Sequence, residues 1–123
     1  MNLTRLLKNR GSRQSYEAGS VIFRQKDPAE AIYVILSGSV ELSIDDEVLG
    51  TEEAGGIIGE MAIINPTAQN LTAVALTSVT VAQLDQEQFK NVIRDEPEFS
   101  FHAMSVLASR LRAVDQYISR RRA

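Results

Sequence analysis

Few side chains in this sequence are equipped for chemistry. There is no cysteine, so disulfides and thiolate metal sites are excluded, and the single histidine, His102, cannot build an imidazole metal cage. His102 has no nearby partner set for nucleophilic catalysis and reads as a helix residue beside an apolar seam. Gly55, Gly56 and Gly59 crowd one short stretch, but no Gly-Lys-Ser/Thr follows them, so they form no phosphate loop of the nucleotide-hydrolase type. The sequon Asn70-Leu71-Thr72 would accept a glycan only in a secreted chain. With no paired base and nucleophile, no metal-ligand cluster and no cofactor loop, the residues predict a protein without catalytic or metal-binding residues. Three polar side chains near the glycine turn remain as candidates. Glu60 can act through its carboxylate or simply stabilise a helix start. Gln69 and Asn70 can offer neutral hydrogen bonds or stand as ordinary loop residues.

Charge narrows the partners. The net charge of −3 is unevenly spread: from Gln14 to Gln88 only Arg24 and Lys26 oppose twelve acidic residues, a balance of −10. The basic residues gather at the ends, Arg5, Lys8, Arg10 and Arg13 at one and Arg110, Arg112, Arg120, Arg121 and Arg122 at the other. A broad nucleic-acid-binding face needs clustered phosphate-neutralising charge, which the acidic middle cannot supply. No direct nucleic-acid binding is expected. The N-terminal residues MNLTRLLKNRGSRQ hold no long apolar stretch with a small-residue cleavage site, so neither a signal peptide nor a membrane contact is predicted, and the expected location is cytoplasmic.

The elements that must position these residues follow from periodicity. A chain of 123 residues, 44% hydrophobic, suits one domain spanning 1–123. From about residue 14 to 85, short apolar or alternating runs are separated by turn residues, the pattern of an all-β roll, sandwich or barrel. Val40, Leu42 and Ile44 alternate with Glu41 and Ser43 as in a half-buried strand. The run AIYVIL is apolar throughout, as in a strand buried on both faces. Asp45-Asp46-Glu47 predicts a hairpin turn. Asp85 can cap a helix carrying Phe89, Val92 and Ile93 on one face, and Pro97 breaks it. A second helix is predicted from about Glu98 to near residue 122. Its apolar residues Met104, Leu107, Leu111, Val114 and Ile118 follow a 3,4 heptad spacing, which predicts the interface of a parallel homodimer. A short helix around Leu3 to Leu7 completes the layout.

The segment YEAGSVIFRQKDPAEAIYVILSGSVEL, followed by GGIIGEMAIINPTAQNLTAVAL, resembles the cyclic-nucleotide-binding domain of catabolite-activator-type regulators, kinase regulatory subunits and gated channels. The likeness runs from about Tyr16 to Tyr117. It implies a mainly β fold: a jelly-roll-like, eight-stranded β-roll with a short N-terminal helix, an inserted short helix and two C-terminal helices. In that family a Gly-Glu-(Leu/Met)-Ala segment opens the inserted helix and cradles a phosphate, as close backbone approach at glycine and free helix N–H groups permit. The matching residues are Gly59, Glu60, Met61 and Ala62. The resemblance implies that Glu60 accepts from a ribose hydroxyl, that the Ala62 amide meets the phosphate, and that Ile57 and Leu71 line the pocket. Thr72 adjoins them. Asp115 on the long helix could accept from a base amine.

Two positions depart from the family. Gln69, with Asn70 next to it, stands where an arginine usually pairs with the phosphate, and a neutral amide replaces a charge-assisted fork with bonds about half as strong. Lys26 stands where a glycine is usual, in a turn expected to lie away from the pocket and to take a different conformation. The residues therefore predict a non-catalytic sensor that binds cyclic AMP, cyclic GMP or a related small ligand weakly and signals through its last helix. Two alternatives stay open: a ligand-free module for dimerisation or docking of a protein partner, and the sensor half of a transcription regulator. Residue 123 falls just where a helix-turn-helix would start, so no recognition helix is expected here.

Overall fold

The computed structural model describes residues 1–60 and 68–122. Eight antiparallel strands form two four-stranded sheets. Sheet one has the order β1 (Ser12–Tyr16), β8 (Val79–Leu84), β3 (Ile32–Ser37), β6 (Ile57–Ile58). Sheet two has the order β2 (Val21–Phe23), β7 (Thr72–Ala75), β4 (Ser39–Ile44), β5 (Glu47–Glu53). Among the described residues three helices flank them: α1 (Leu3–Leu6), α2 (Gln86–Asp95) and α3 (Pro97–Arg122). This is the predicted β-roll with its terminal helices. The inserted helix is seen only at its first helical residue, Glu60, because the rest of that stretch lies outside the described residues.

The apolar run in β3 explains the layering. Successive side chains on a strand point to opposite faces. Ile32 and Val34 accordingly enter a core beneath the helices with Leu84, Phe89, Val92 and Phe99, while Ile35 enters a second core between the sheets with Val40, Leu42, Val79 and Val81. The β3 and β8 strands of sheet one are thus buried on both faces, and β4, with its alternating pattern, covers only the core between the sheets. Val40 and Leu42 are buried there while Glu41 and Ser43 keep partial access to water.

The turns and caps also follow their residues. Asp45 and Asp46 both take positive φ, 50° and 65°, the two-residue turn that matches strand twist in a hairpin. It joins β4 to β5 in the register Ile44 opposite Glu47. Asp85 and Gln88 form a reciprocal capping box at the start of α2, with bonds of 2.8 and 2.9 Å. Glu96 ends α2, and Pro97, whose missing N–H is harmless at a first helical position, opens α3. The end of α3 is clasped by the hairpin tip. Tyr117 donates its hydroxyl to Asp45 at 3.1 Å, Arg120 pairs with Glu47 at 2.8 Å, and Arg121 lies over the Tyr117 ring. No helix among the described residues is long and apolar enough to cross a membrane.

Candidate ligand-binding site

The site begins where β6 ends. Gly59 takes φ +79°, and a Cβ there would stand 3.1 Å from the Ala31 carbonyl oxygen, so glycine alone turns the chain this tightly. The turn drives Glu60 inward until it is only 1% exposed. Arg110, 5% exposed, reaches it from the middle of α3. Its Nη1 donates to Glu60 Oε1 at 2.6 Å, and its Nη2 donates to the Ile57 carbonyl at 2.8 Å and to Glu52 Oε1 on β5 at 3.1 Å. Burial pushes the Glu60 carboxyl above its ordinary value, and the Arg110 charge and hydrogen bonds pull it back only in part.

Gln69 forms the opposite wall, 3% exposed. Its backbone is tied on both sides to the turn after β2: its N–H donates to the Asp27 carbonyl at 2.8 Å, and its carbonyl accepts from Lys26 N–H at 2.7 Å. Lys26 holds φ +73°, the left-handed conformation that glycine would adopt without strain. This corrects the expectation for that turn, because Lys26 keeps the glycine-like geometry and, far from standing away from the pocket, fixes the residue that walls it.

Between these walls lies a cavity lined by Phe23, Leu42, Gly59, Glu60, Gln69, Asn70, Leu71 and Arg110. Its volume is about 10 Å³, room for roughly one water molecule. Across the Arg110 guanidinium, a cleft of about 160 Å³ opens between α3 and the β4–β5 hairpin, against Leu42, Leu49, Glu52 and Ala113. The two spaces share Leu42 and Arg110. A wider open groove of about 620 Å³, beside Arg5, Lys8 and Arg13, holds none of these residues.

The structure therefore brings Gly59, Glu60, Gln69, Asn70 and Leu71 to one cavity. Ile57 contributes its carbonyl, since its side chain packs in the outer core. Thr72 turns its hydroxyl to accept from Gln25 N–H at 3.1 Å, and Asp115 is exposed on α3 and does not line the cavity. Met61 and Ala62 lie outside the described residues. His102 sits half-buried against the Gly55 carbonyl on the roll. Among the described residues no cluster of three or more His, Asp or Glu could hold a metal.

Arg110 and Glu52 are the residues that sequence reasoning overlooked. The signal was present: Phe99, Ala103, Arg110 and Tyr117 are the buried residues of α3 and share one face at helical spacing, so Arg110 is a charge set in an otherwise apolar stripe.

A family model for the cyclic nucleotide-binding domain matches residues 13–96. The chain belongs to that family. Two relatives of this cyclic nucleotide-binding domain are the CRP-like cAMP-activated global transcriptional regulator of Mycobacterium tuberculosis, 26% identical over 85% of this chain and 49% of that protein, and the cyclic AMP receptor protein of Thermus thermophilus, 30% identical over 84% and 50%. Among solved structures, the c-di-GMP responsive global regulator of Xanthomonas campestris superposes with a TM-score of 0.79 at 25% identity, over 94% of this chain and 61% of that one. The domain spans about half the length of the curated regulators it matches.

Proposed function

We propose that this cyclic nucleotide-binding domain is a non-catalytic sensor module in which a small ligand seated between the β-roll and α3 resets the position of that helix. The observation that carries the reading is Arg110: a guanidinium on α3 is the common wall of both cavities and is bonded to Glu60, Glu52 and the Ile57 carbonyl. A ligand filling both spaces must compete for those bonds, and whatever moves Arg110 moves α3. The helix carries the output. Met104, Leu107, Leu111, Val114 and Ile118 lie beside its packing face, and Met104, Leu111 and Ile118 remain exposed in the monomer, which supports a homodimer through this seam.

The test uses the absence of native cysteine. Spin labels on Glu17→Cys and Ser105→Cys report the distance from roll to helix before and after saturation with cyclic AMP, cyclic GMP, cyclic di-nucleotides or the parent nucleosides. A bound ligand is expected to shift that distance by roughly 1–2 Å or more. An unchanged distance under demonstrated binding would remove the signalling role.

A second reading has its own support. The cavity beside Glu60 is near 10 Å³, far below the roughly 300 Å³ at which small-molecule sites begin, which favours a ligand-free dimerisation or docking module if none of those ligands binds. As about half the length of its curated relatives, the module would also serve as the sensor part of a transcription regulator. The expected setting is cytoplasmic.

A further inference from the structure

Three cations of this acidic chain stand together without a carboxylate. The open groove of about 620 Å³ between α1 and the start of β1 is lined by Arg5, Lys8 and Arg13 among neutral residues, and no acidic side chain enters the lining. Arg10 nearby is already neutralised by Asp95 at 2.8 Å. Arg5 and Lys8 are exposed and pair with no described carboxylate. Arg13 is held in place: its Nη1 and Nη2 donate to the Arg10 and Leu7 carbonyls at 3.1 and 2.8 Å, which fixes the guanidinium and leaves its remaining N–H donors for a partner.

Arg13 also belongs to an open sheet edge. β1 is the outermost strand of sheet one and pairs along one side only, with β8. Its residues run in unbroken register from Ser12 opposite Gln83 to Tyr16 opposite Val79, with no bulge, and four of the five are exposed. No backbone group of β1 bonds to a described residue outside β8. A charged side chain can guard such an edge against a further strand. Arg13 does not, because its guanidinium is drawn back onto the turn after α1.

A peptide backbone matches this edge, since it supplies donors and acceptors at the same two-residue repeat, whereas a phosphate chain supplies acceptors only. Alternate side chains of an added strand point to the face where α1 lies, and there the three cations favour carboxylates. We propose that the outer edge of β1 takes up an extended peptide of a partner protein as an added strand, with acidic residues at every second position seated on Arg5, Lys8 and Arg13. The surface shares no residue with the cavity beside Glu60, so it serves whether or not a small ligand binds there.

The probe is a capped peptide alternating glutamate and valine, labelled with fluorescein and read by anisotropy at low salt. Combining Arg5→Gln with Lys8→Gln, both at exposed positions, should weaken its binding by about tenfold, as two lost surface ion pairs would. A peptide with lysine in place of glutamate should not bind. Strand addition has a separate readout: outward N–H groups of β1 should exchange with deuterium at least about tenfold more slowly under saturating peptide. Unchanged exchange in β1 under demonstrated binding overturns the proposal, and so does absence of binding at millimolar peptide. Single-stranded oligothymidylate of equal charge that binds as tightly would reveal a surface for polyanions at large and overturn it too.

Discussion

Arg110 is the residue whose loss should be felt most, because Glu60 would stay behind as a buried carboxylate without its partner. Arg110→Met is expected to cost about 3–5 kcal/mol at pH 7 in urea unfolding, and less in acid, where Glu60 takes up a proton and the uncompensated charge disappears. An equal cost at every pH would show that the guanidinium contributes packing only. The carboxyl has its own signature in the intact protein. Its folded value lies above its ordinary 4.5, so its contribution is fully present below about 4.5 and is lost as pH rises through the raised folded value. The stability of the unaltered chain relative to Glu60→Gln should therefore fall with rising pH over that window, and a rise would reverse the assignment. Lys26 offers a milder test. Relieving left-handed strain of about 1–2 kcal/mol, less the extra freedom glycine gives the unfolded chain, roughly 0.4–1 kcal/mol, should leave Lys26→Gly more stable by about 0.5–1 kcal/mol in thermal unfolding. Glu60 and Gln69 were legible in the sequence because a glycine turn and a family position marked them. Arg110 was marked only by its place on the apolar stripe of α3, and nothing local paired it with Glu52, 58 residues away on β5.

At the scale of elements, α3 serves two surfaces at once. Phe99, Ala103, Arg110 and Tyr117 face the roll, and the seam from Met104 to Ile118 lies beside them. Double substitution of Leu107 and Leu111 by glutamate should yield monomers by light scattering, with the monomer's own unfolding midpoint little changed because Leu111 is exposed and Leu107 only partly covered. A monomeric unaltered protein at high concentration would remove the seam from consideration. The strands were readable because a period of two and a two-residue Asp turn leave little choice of register. The clasp joining Asp45 and Glu47 to Tyr117 and Arg120 was not readable. Its partners stand about seventy residues apart, and nothing local to either segment announces the other.

On the scale of the whole molecule, sheet one is the wall shared by two cores, so neither core can open without exposing a face of the other. Ile32→Ala and Ile35→Ala remove side chains from opposite faces of one strand. Each is expected to cost about 2–5 kcal/mol, and both should unfold in one cooperative transition. Two separate transitions would mean that the helical layer melts by itself. The clasp at the hairpin tip bears on how such a body converts a small local event into a large one. A helix gripped at Tyr117 is a rod with a pivot. Arg110 lies about 11 Å and Met104 about 20 Å along it from that point at 1.5 Å per residue. Each ångström conceded at the guanidinium swings the start of the seam through almost two, so the leverage of the molecule is fixed by where along α3 its tether was placed.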